Sequence, residues 1–245
     1  MTAVERALAA LAARYELPPA AAAQLGALLD ALADDPHAPT TVRDPKQAVD
    51  VHVADSLVGL ELPEVRTATA IADLGAGAGF PGLPLAIALP DASVSLVEST
   101  ARKCAFIDAA AAAAAATNAR SVAQRAEAWE EGRDAHDLVT ARALAPLAVI
   151  AEYAAPLLRL DGVLVAWKGR RDDAEERAAV AAAEQLGLAV EEIRAVTPYA
   201  GADHRHLHVL RKVAPTPPRF PRRPGMARKR PLGAGSQPTS DRLRS

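Results

Sequence analysis

Three glycines spaced two apart, Gly75, Gly77 and Gly79, are the residues with the clearest chemical use in this chain. They come directly after an apolar run that predicts a strand and directly before an apolar run that predicts a helix. Glycines at such a turn let the backbone bend sharply and let a ligand lie against it. The pattern therefore predicts a loop that binds a cofactor with a nucleoside portion.

Two classes of cofactor fit this loop. The glycines within residues 77–82 satisfy the spacing of dinucleotide sites, and Glu98 ends the next predicted strand, where an acid can hold ribose hydroxyls. Asp73 places a carboxylate at the entrance of the loop, which would repel a diphosphate but suits the cationic amino-acid end of S-adenosylmethionine. Pro81 lacks an N–H donor that a phosphate would use at the start of a helix. The loop favours S-adenosylmethionine, with an NAD-dependent oxidoreductase as an alternative.

The elements that would position this loop alternate between strand and helix from about residue 68 onward. Before them, residues 3–34 predict two helices interrupted near Pro18–Pro19, and residues 45–60 predict a third. Strands are predicted at residues 69–75, 93–98, 121–125, 136–142, 163–169, 188–196 and 205–213, with helices at residues 100–116, 146–158 and 172–186 among them. The last two strands alternate apolar and polar residues, as an antiparallel edge pair would.

This alternation predicts an α/β fold with a doubly wound, mostly parallel sheet of the class I S-adenosylmethionine-dependent methyltransferase type. The methyltransferase domain would span residues 67–213 and end in an antiparallel C-terminal hairpin. It would follow an N-terminal helical extension at residues 1–66. A basic Pro/Arg-rich tail at residues 214–245 would complete the chain, with little regular structure.

Composition narrows the class of protein. Cys104 is the only cysteine, so neither an intrachain disulfide nor a cysteine-rich metal site is expected, which favours a reducing compartment. The N-terminus lacks the pattern of a signal peptide, and no apolar run approaches the roughly 20 residues of a membrane span. We expect a cytoplasmic, monomeric protein without a membrane or metal partner. His204, His206 and His208 alternate along a predicted strand but have no carboxylate or cysteine partner in the pattern.

Charge is distributed unevenly along the chain. The total net charge is −2, yet residues 214–245 carry eight basic residues against one acid. That segment has a net charge of +7, which leaves −9 for the rest of the chain. A basic segment on an acidic body indicates a polyanionic partner, with a disordered solubilising tail as the alternative.

The glycine loop stands in a longer string, residues 73–99, and related strings follow at residues 125–129, 136–158 and 164–169. Together with His52-x-x-Asp55-Ser56 upstream and residues 211–225 downstream, they closely resemble the RsmG family. These are the 16S ribosomal RNA guanine-N7 methyltransferases, also called glucose-inhibited division protein B. The resemblance implies methyl transfer from S-adenosylmethionine to the N7 position of a guanine in 16S rRNA, either free or within the 30S subunit. A protein or small-molecule substrate for the same cofactor is the alternative.

The resemblance also implies roles for individual residues. Contacts to the cofactor are expected from the glycine loop and the strand ends around it, namely Gly75, Gly77, Gly79, Phe80, Glu98, Ala126, Glu127 and Arg142. Arg142 is expected to hold a phosphate or the guanine O6 edge, with a surface ion pair as the alternative. Placement on the predicted elements, rather than the resemblance, suggests two further substrate contacts: Lys168, with a solvated lysine as the alternative, and His52, with local helix packing as the alternative. RNA phosphates would be neutralised by the basic residues of the last predicted strand and the tail, namely Arg211, Lys212, Arg219, Arg222, Arg223, Arg228, Lys229 and Arg230.

The expected chemistry needs no acid or base. Guanine N7 is an unprotonated ring nitrogen with a free lone pair, so it can attack the methyl group of a sulfonium without losing a proton first. Catalysis would then consist of holding the two reactants in line and favouring the redistribution of charge. No catalytic acid or base is therefore assigned.

Overall fold

A seven-stranded sheet organises the chain in the computed structural model, which describes residues 1–233. Its strands lie in the order β3-β2-β1-β4-β5-β7-β6. Their bounds are β1 Ala70–Leu74, β2 Ser93–Val97, β3 Ala119–Val122, β4 His136–Arg142, β5 Leu158–Lys168, β6 Leu188–Val196 and β7 Arg205–Lys212. The predicted α/β fold with a doubly wound, mostly parallel sheet is confirmed.

The direction of the strands explains where a ligand can bind. Strands β1 to β5 run parallel, and β7 lies antiparallel between β5 and β6. The predicted C-terminal hairpin of β6 and β7 is present. Of these two strands only β6 lies at an edge of the sheet, because β7 pairs with β5 on its other side. The strand order reverses between β1 and β4, so the loops that follow these two strands diverge. Such a reversal opens a crevice at the carboxyl ends of the strands.

Helices cover both faces of the sheet. They are α1 Ala3–Arg14, α2 Ala21–Asp34, α3 Pro45–Ala48, α4 Asp55–Leu57, α5 Pro63–Arg66, α6 Gly82–Ala88, α7 Ala101–Ala113, α8 Leu147–Ala154, α9 Asp173–Leu186 and α10 Met226–Lys229. On one face, α6 and α7 pack against the sheet and α1 and α2 lie outside them, in one core with Ile71 and Leu138. On the other face, α8 and α9 pack against Ala72 and Val139. Neighbouring residues of one strand enter different cores because successive side chains point to opposite faces.

Local sequence signals set the ends of several helices. Thr2 and Glu5 form a reciprocal capping box at the start of α1. The carboxylate of Asp172 accepts two backbone N–H groups at the start of α9, and Gly187 ends that helix in the left-handed conformation. Within residues 1–233, none of the helices is both long enough and apolar enough to cross a membrane.

The helix predicted at residues 45–60 is present but irregular. After α3, residues Val49–Ala54 form a π-helical segment, α4 follows, and residues Val58–Glu61 form a 3₁₀ turn. Two side chains compete for the carbonyls here: the Ser56 hydroxyl donates to the His52 carbonyl, and the Trp167 indole donates to the Asp55 carbonyl over 2.7 Å. Side chains that take helix carbonyls interrupt the regular hydrogen-bond ladder.

The C-terminal segment, here residues 214–233, is mostly irregular as predicted, apart from α10. It is nevertheless packed against the sheet domain. Phe220 and Ala227 are buried in the same core as α8 and α9. Arg222 forms an ion pair with the buried Glu152 of α8. Arg242 and Arg244 of the predicted tail lie outside the described residues, and the division of the chain at residues 66 and 213 stays a prediction.

Candidate functional site

A first cavity of about 360 Å³ opens at the carboxyl ends of β1 to β4, where the strand order reverses. Its wall comes from the ends of four strands, from α7, α8 and the C-terminal segment. The lining residues are Gly75, Val97, Glu98, Ser99, Thr100, Lys103, Gln124, Arg125, Ala126, Glu127, Ala143, Leu144, Tyr153 and Arg228. The structure thus brings together four of the residues predicted to contact a cofactor: Gly75, Glu98, Ala126 and Glu127.

The glycine loop has the backbone that its sequence predicts. Gly75, Gly77 and Gly79 all have positive φ, a region that other residues rarely adopt. Gly75 also lacks room for a side chain, because a Cβ there would lie 2.5 Å from Cδ1 of Leu144. Gly75 therefore lets the chain pass closely beneath the first cavity.

Asp73 does not have the role expected from its place in the sequence. Its side chain is buried and turned into the fold, where it accepts hydrogen bonds from the Gly82 N–H over 3.0 Å and from the Thr140 hydroxyl over 2.9 Å. Burial raises the pKa of Asp73 to about 6, although both hydrogen bonds act in the opposite direction. The carboxylate fixes the start of α6 and lines neither of the two cavities at this edge of the sheet. The expectation that it receives a cationic amino group is wrong.

Glu98 presents a carboxylate at the end of β2. It accepts from the Thr100 N–H over 2.9 Å and lies 3.4 Å from the Lys103 ammonium group. Burial alone would raise the pKa of Glu98, but the hydrogen bonds from Thr100 and the charge of Lys103 outweigh it and lower the pKa. The carboxylate is therefore ionised at neutral pH and can accept hydrogen bonds from a ligand.

Ala126 and Glu127 follow β3 in a short 3₁₀ turn on the far side of the first cavity. The Glu127 carboxylate accepts from the Gly225 N–H over 3.1 Å, which ties this turn to the C-terminal segment. Tyr153 of α8 lies nearby, and burial together with the charge of Glu127 raises the pKa of Tyr153. The tyrosine is therefore neutral and can donate or accept a hydrogen bond.

A second cavity of about 390 Å³ lies beside the first, at the carboxyl ends of β4 and β5. Its lining residues are Val51, His52, Asp55, Arg142, Ala143, Trp167, Lys168, Gly169 and Arg205. The two cavities share Ala143, which has a positive φ of 52°. The structure thus gathers the three residues predicted to position a substrate, His52, Arg142 and Lys168, in the second cavity.

Arg142 ends β4 and connects the sheet to the irregular helical segment. Its guanidinium donates to the Asp55 carboxylate over 2.9 Å and to the Val51 carbonyl over 3.0 Å. It also lies over the Phe80 ring at 5.6 Å from the ring centroid. Phe80 is itself buried and contacts Arg142 and His52, two residues that line the second cavity. Arg142 is held in one orientation by these contacts, with its charge largely shielded from bulk water.

His52 belongs to the irregular helical segment and lies between Phe80 and Thr40. Its ring stacks on the Phe80 ring at 4.6 Å, and its Nε2 lies 2.9 Å from the Thr40 hydroxyl. The buried Nδ1 has no hydrogen-bond partner in the structure. Burial, and then the charge of Arg142, lowers the pKa of His52 to about 4. His52 is therefore neutral at physiological pH.

Two further cations line the second cavity, and both have carboxylate partners. Lys168 lies 2.6 Å from the Glu175 carboxylate of α9. This partner was not predicted from the sequence, and it reduces the charge that Lys168 can offer to a phosphate. Arg205, at the start of β7, lies 3.5 Å from the Asp55 carboxylate and was not predicted to belong to the site. No local motif marks Arg205, because its place depends on the antiparallel strand that carries it.

Three of the residues predicted to bind RNA form ion pairs within the fold. Lys212 is only 1% exposed, and its ammonium group donates to Asp134 over 2.7 Å. Arg211 pairs with Glu64 and Glu191. Together with Arg222, which pairs with Glu152, these residues are committed to carboxylates within the fold. Lys212 is too deeply buried to contact a phosphate, so its prediction is wrong: β7 turns this side chain into the fold. Arg211 and Arg222 remain partly exposed, so phosphate contacts from them stay a prediction.

The remaining predicted RNA contacts fall into two groups. Arg219, Arg223, Lys229 and Arg230 are exposed on the C-terminal segment, where they can meet a polyanion. Arg228 is also exposed, but it differs from these residues because it lines the first cavity and donates to the Leu144 carbonyl over 3.0 Å. Over the part of the chain that the structure describes, no three histidine, cysteine, aspartate or glutamate residues are grouped to bind a metal. His206 instead lies 2.9 Å from the Gly169 carbonyl.

Comparison with known proteins identifies relatives along most of the chain. Residues 28–207 match the model of the GidB family, described as rRNA small subunit methyltransferase G. A ribosomal RNA small subunit methyltransferase G from Synechococcus sp. is 40% identical over 207 residues, which cover 81% of this chain and 80% of that protein. A protein of the same name from Lacticaseibacillus paracasei is 41% identical over 188 residues, which cover 74% of this chain and 77% of that protein.

Solved structures support the fold. The crystal structure of a ribosomal protein L11 methylase from Lactobacillus delbrueckii subsp. bulgaricus has a TM-score of 0.54 with this chain. The two are 16% identical, and the match covers 74% of this chain and 84% of that one. The sequence relatives go further than the shared fold: the chain belongs to the GidB family, the rRNA small subunit methyltransferase G family.

Proposed function

We propose that this chain transfers a methyl group from S-adenosylmethionine to the N7 position of a guanine in 16S rRNA. The observation that carries the proposal is the meeting of two different cavities at Ala143. The first has a glycine loop and an ionised carboxylate, and the second has an arginine held over an aromatic ring. The methyl donor in the first cavity and the guanine in the second cavity would approach each other across Ala143.

The residues of the first cavity fit the proposed cofactor. Glu98 would accept hydrogen bonds from the ribose hydroxyls, since its carboxylate is ionised and faces the cavity. Ala126 and Glu127 would flank the adenine, and Gly75 would let the methionine part lie against the loop. Gly77 and Gly79 do not line the first cavity, but their positive φ shapes the loop that carries Gly75. When bound, S-adenosylmethionine supplies a methyl group on a positively charged sulfur.

The same cavity is a poor site for a dinucleotide, the alternative cofactor. A diphosphate needs free N–H donors at the start of the helix after the glycine loop. The first such donor, the Gly82 N–H, is already bound by the buried Asp73 carboxylate. A diphosphate placed there would meet a carboxylate where it needs a donor. The contact between Asp73 and Gly82 therefore favours the methyl donor for a reason different from the one expected from the sequence.

In the second cavity, the chain's own residues would hold the guanine rather than exchange protons with it. His52 is neutral, because its pKa is about 4, and its ring stacks on Phe80. Arg142 would donate from its fixed guanidinium to the O6 edge of the base or to a phosphate. Phe80 contributes through both of these residues, and Lys168 would add a weaker contact to phosphate because Glu175 already binds it.

RNA would be attracted by the exposed cations of the C-terminal segment, namely Arg219, Arg223, Lys229 and Arg230, together with Arg205 at the second cavity. Affinity based on such contacts falls steeply as salt increases. With 16S rRNA as substrate, free or in the 30S subunit, the protein would act in the cytoplasm, and we propose that it does so as a monomer.

The test uses purified protein, methyl-labelled S-adenosylmethionine and 30S subunits from cells that lack the corresponding enzyme. We expect label on guanine N7 of 16S rRNA. Absence of label on any guanine N7, or label recovered only in protein or small molecules, contradicts the proposal. Deleting residues from Pro215 onward is not a useful variant, because it removes Phe220 from the core and Arg228 from the first cavity.

A further inference from the structure

The C-terminal segment reaches the first cavity although its sequence reads as an RNA-binding tail. Arg228 lines that cavity together with Glu98, Ala126 and Glu127. Its guanidinium donates to the Leu144 carbonyl over 3.0 Å, which fixes one end of the group and leaves other N–H donors available. Leu144 in turn packs over Gly75 in the glycine loop. Arg228 is thus placed beside the loop rather than on the outer surface alone.

Several contacts hold this segment in place. Phe220 is 4% exposed, and Ala227 and Leu232 pack in the same core as α8. Arg222 donates to the buried Glu152 carboxylate through its side chain and its backbone N–H. The Gly225 N–H donates to Glu127 across the cavity wall. A segment anchored on both sides of Arg228 can present that side chain in a defined position.

We propose that residues 220–230 form one wall of the cofactor site and that Arg228 binds the cofactor from this wall. The inference rests on the proposed function, because it takes the ligand of the first cavity to be S-adenosylmethionine or its product S-adenosylhomocysteine. Arg228 is exposed like Arg223, Lys229 and Arg230, but of these four residues it alone lines the first cavity. The proposal therefore gives Arg228 a contact with the methyl donor, whereas the other three would meet RNA.

The first experiment measures the affinity of S-adenosylhomocysteine for four full-length proteins without RNA: the parent, Arg228→Ala, Arg228→Lys and Arg223→Ala. We expect Arg228→Ala to weaken binding by about tenfold, the loss typical of one hydrogen bond to a charged group. Arg228→Lys should restore part of the affinity. Arg223→Ala is the matched control, since Arg223 carries the same charge on the same segment and is also exposed but does not line the first cavity. Its affinity for S-adenosylhomocysteine should equal that of the parent.

The outcomes separate the two proposals. If the parent does not bind S-adenosylhomocysteine, the proposed function fails and this inference fails with it. If the parent binds but Arg228→Ala binds equally well, only the inference fails. An Arg228→Ala protein that binds S-adenosylhomocysteine normally but has a raised KM for the ribosomal substrate would return Arg228 to the RNA-binding group.

A second measurement needs no substitution. Amide hydrogen exchange of the parent, with and without S-adenosylhomocysteine, reports whether the C-terminal segment responds to the ligand. We expect slower exchange in residues 222–230 together with residues 75–80 when the ligand is present. Protection of residues 75–80 alone would overturn the inference, whatever the stability of the variants.

Discussion

The two cavities are built in different ways, although they share Ala143. The first is formed largely by turns that directly follow consecutive strands, so most of its residues stand close to recognisable sequence signals. The second is formed by side chains from the irregular helical segment, β4, β5 and β7, which are far apart in the chain. Residues at the ends of consecutive strands are thus encoded locally, whereas the residues of the second cavity come together only through tertiary pairing.

The C-terminal segment is the part of the first cavity that does not follow a strand. Its buried residue Phe220 should give the largest effect of substitution on the free energy of unfolding. Phe220→Ala should lower the free energy of unfolding by about 4 kcal/mol, because it removes a buried aromatic side chain and leaves a cavity. Urea denaturation measures the change. Leu160→Ala is the control, since Leu160 is 55% exposed, and its effect should stay within about 0.5 kcal/mol. A similar small effect for Phe220→Ala would mean that the segment is not part of the core.

The local encoding of the first cavity can be broken at one glycine. Gly75→Ala should weaken S-adenosylhomocysteine binding roughly a hundredfold, or about 2.7 kcal/mol, because the new Cβ strains the loop and displaces Leu144. Gly201→Ala is the matched control: Gly201 also has positive φ, but its Cβ would meet nothing within 4 Å. Titration calorimetry measures both affinities. Equal affinities of the two variants for S-adenosylhomocysteine would contradict a specific role for Gly75.

His52, which lines the second cavity, should make the stability of the protein depend on pH. The folded pKa of His52, about 4, lies below its ordinary value of 6.5, so the unfolded chain binds more protons between these pH values. Stability from this histidine is therefore present above pH 6.5 and is lost as the pH falls toward 4. Between pH 7 and pH 4.5 the parent should lose about 2.5 kcal/mol more than His52→Gln.

Urea denaturation of both proteins at the two pH values measures this difference. Asp73 titrates in the same range with the opposite sign, because its raised pKa makes stability fall as the pH rises from about 4 to about 6. The comparison of parent with variant cancels that contribution. Parallel pH profiles for the two proteins would show that His52 is not held neutral by the fold.

The smallest expected effect comes from Arg205, which sharpens the separation between the cavities. Arg205→Ala should raise KM for the ribosomal substrate about tenfold, as expected when one charged contact is lost, and leave S-adenosylhomocysteine affinity unchanged. Steady-state methylation and ligand titration provide the two numbers. A weakened affinity for S-adenosylhomocysteine would place Arg205 with the cofactor instead.

The sequence predicted the sheet, the glycine loop and the acid after β2 because each has a local signal. It did not predict the direction of the Asp73 side chain, since that depends on a free N–H at the start of α6. It could not pair Arg205 with Asp55 or Arg222 with Glu152, because these contacts join distant parts of the chain. Counting basic residues also treated Lys212 and Arg228 alike, although one is buried in an ion pair and the other faces a cavity.

Ala143 has a consequence for how far apart the reactants stand. Ala143 lines both cavities, and its side chain is a single methyl group on a backbone with φ of 52°. In the proposed reaction, the size of this side chain would set the distance between the methyl donor and the guanine. A bulkier residue at position 143 would increase that distance and slow methyl transfer, while each reactant still binds in its own cavity.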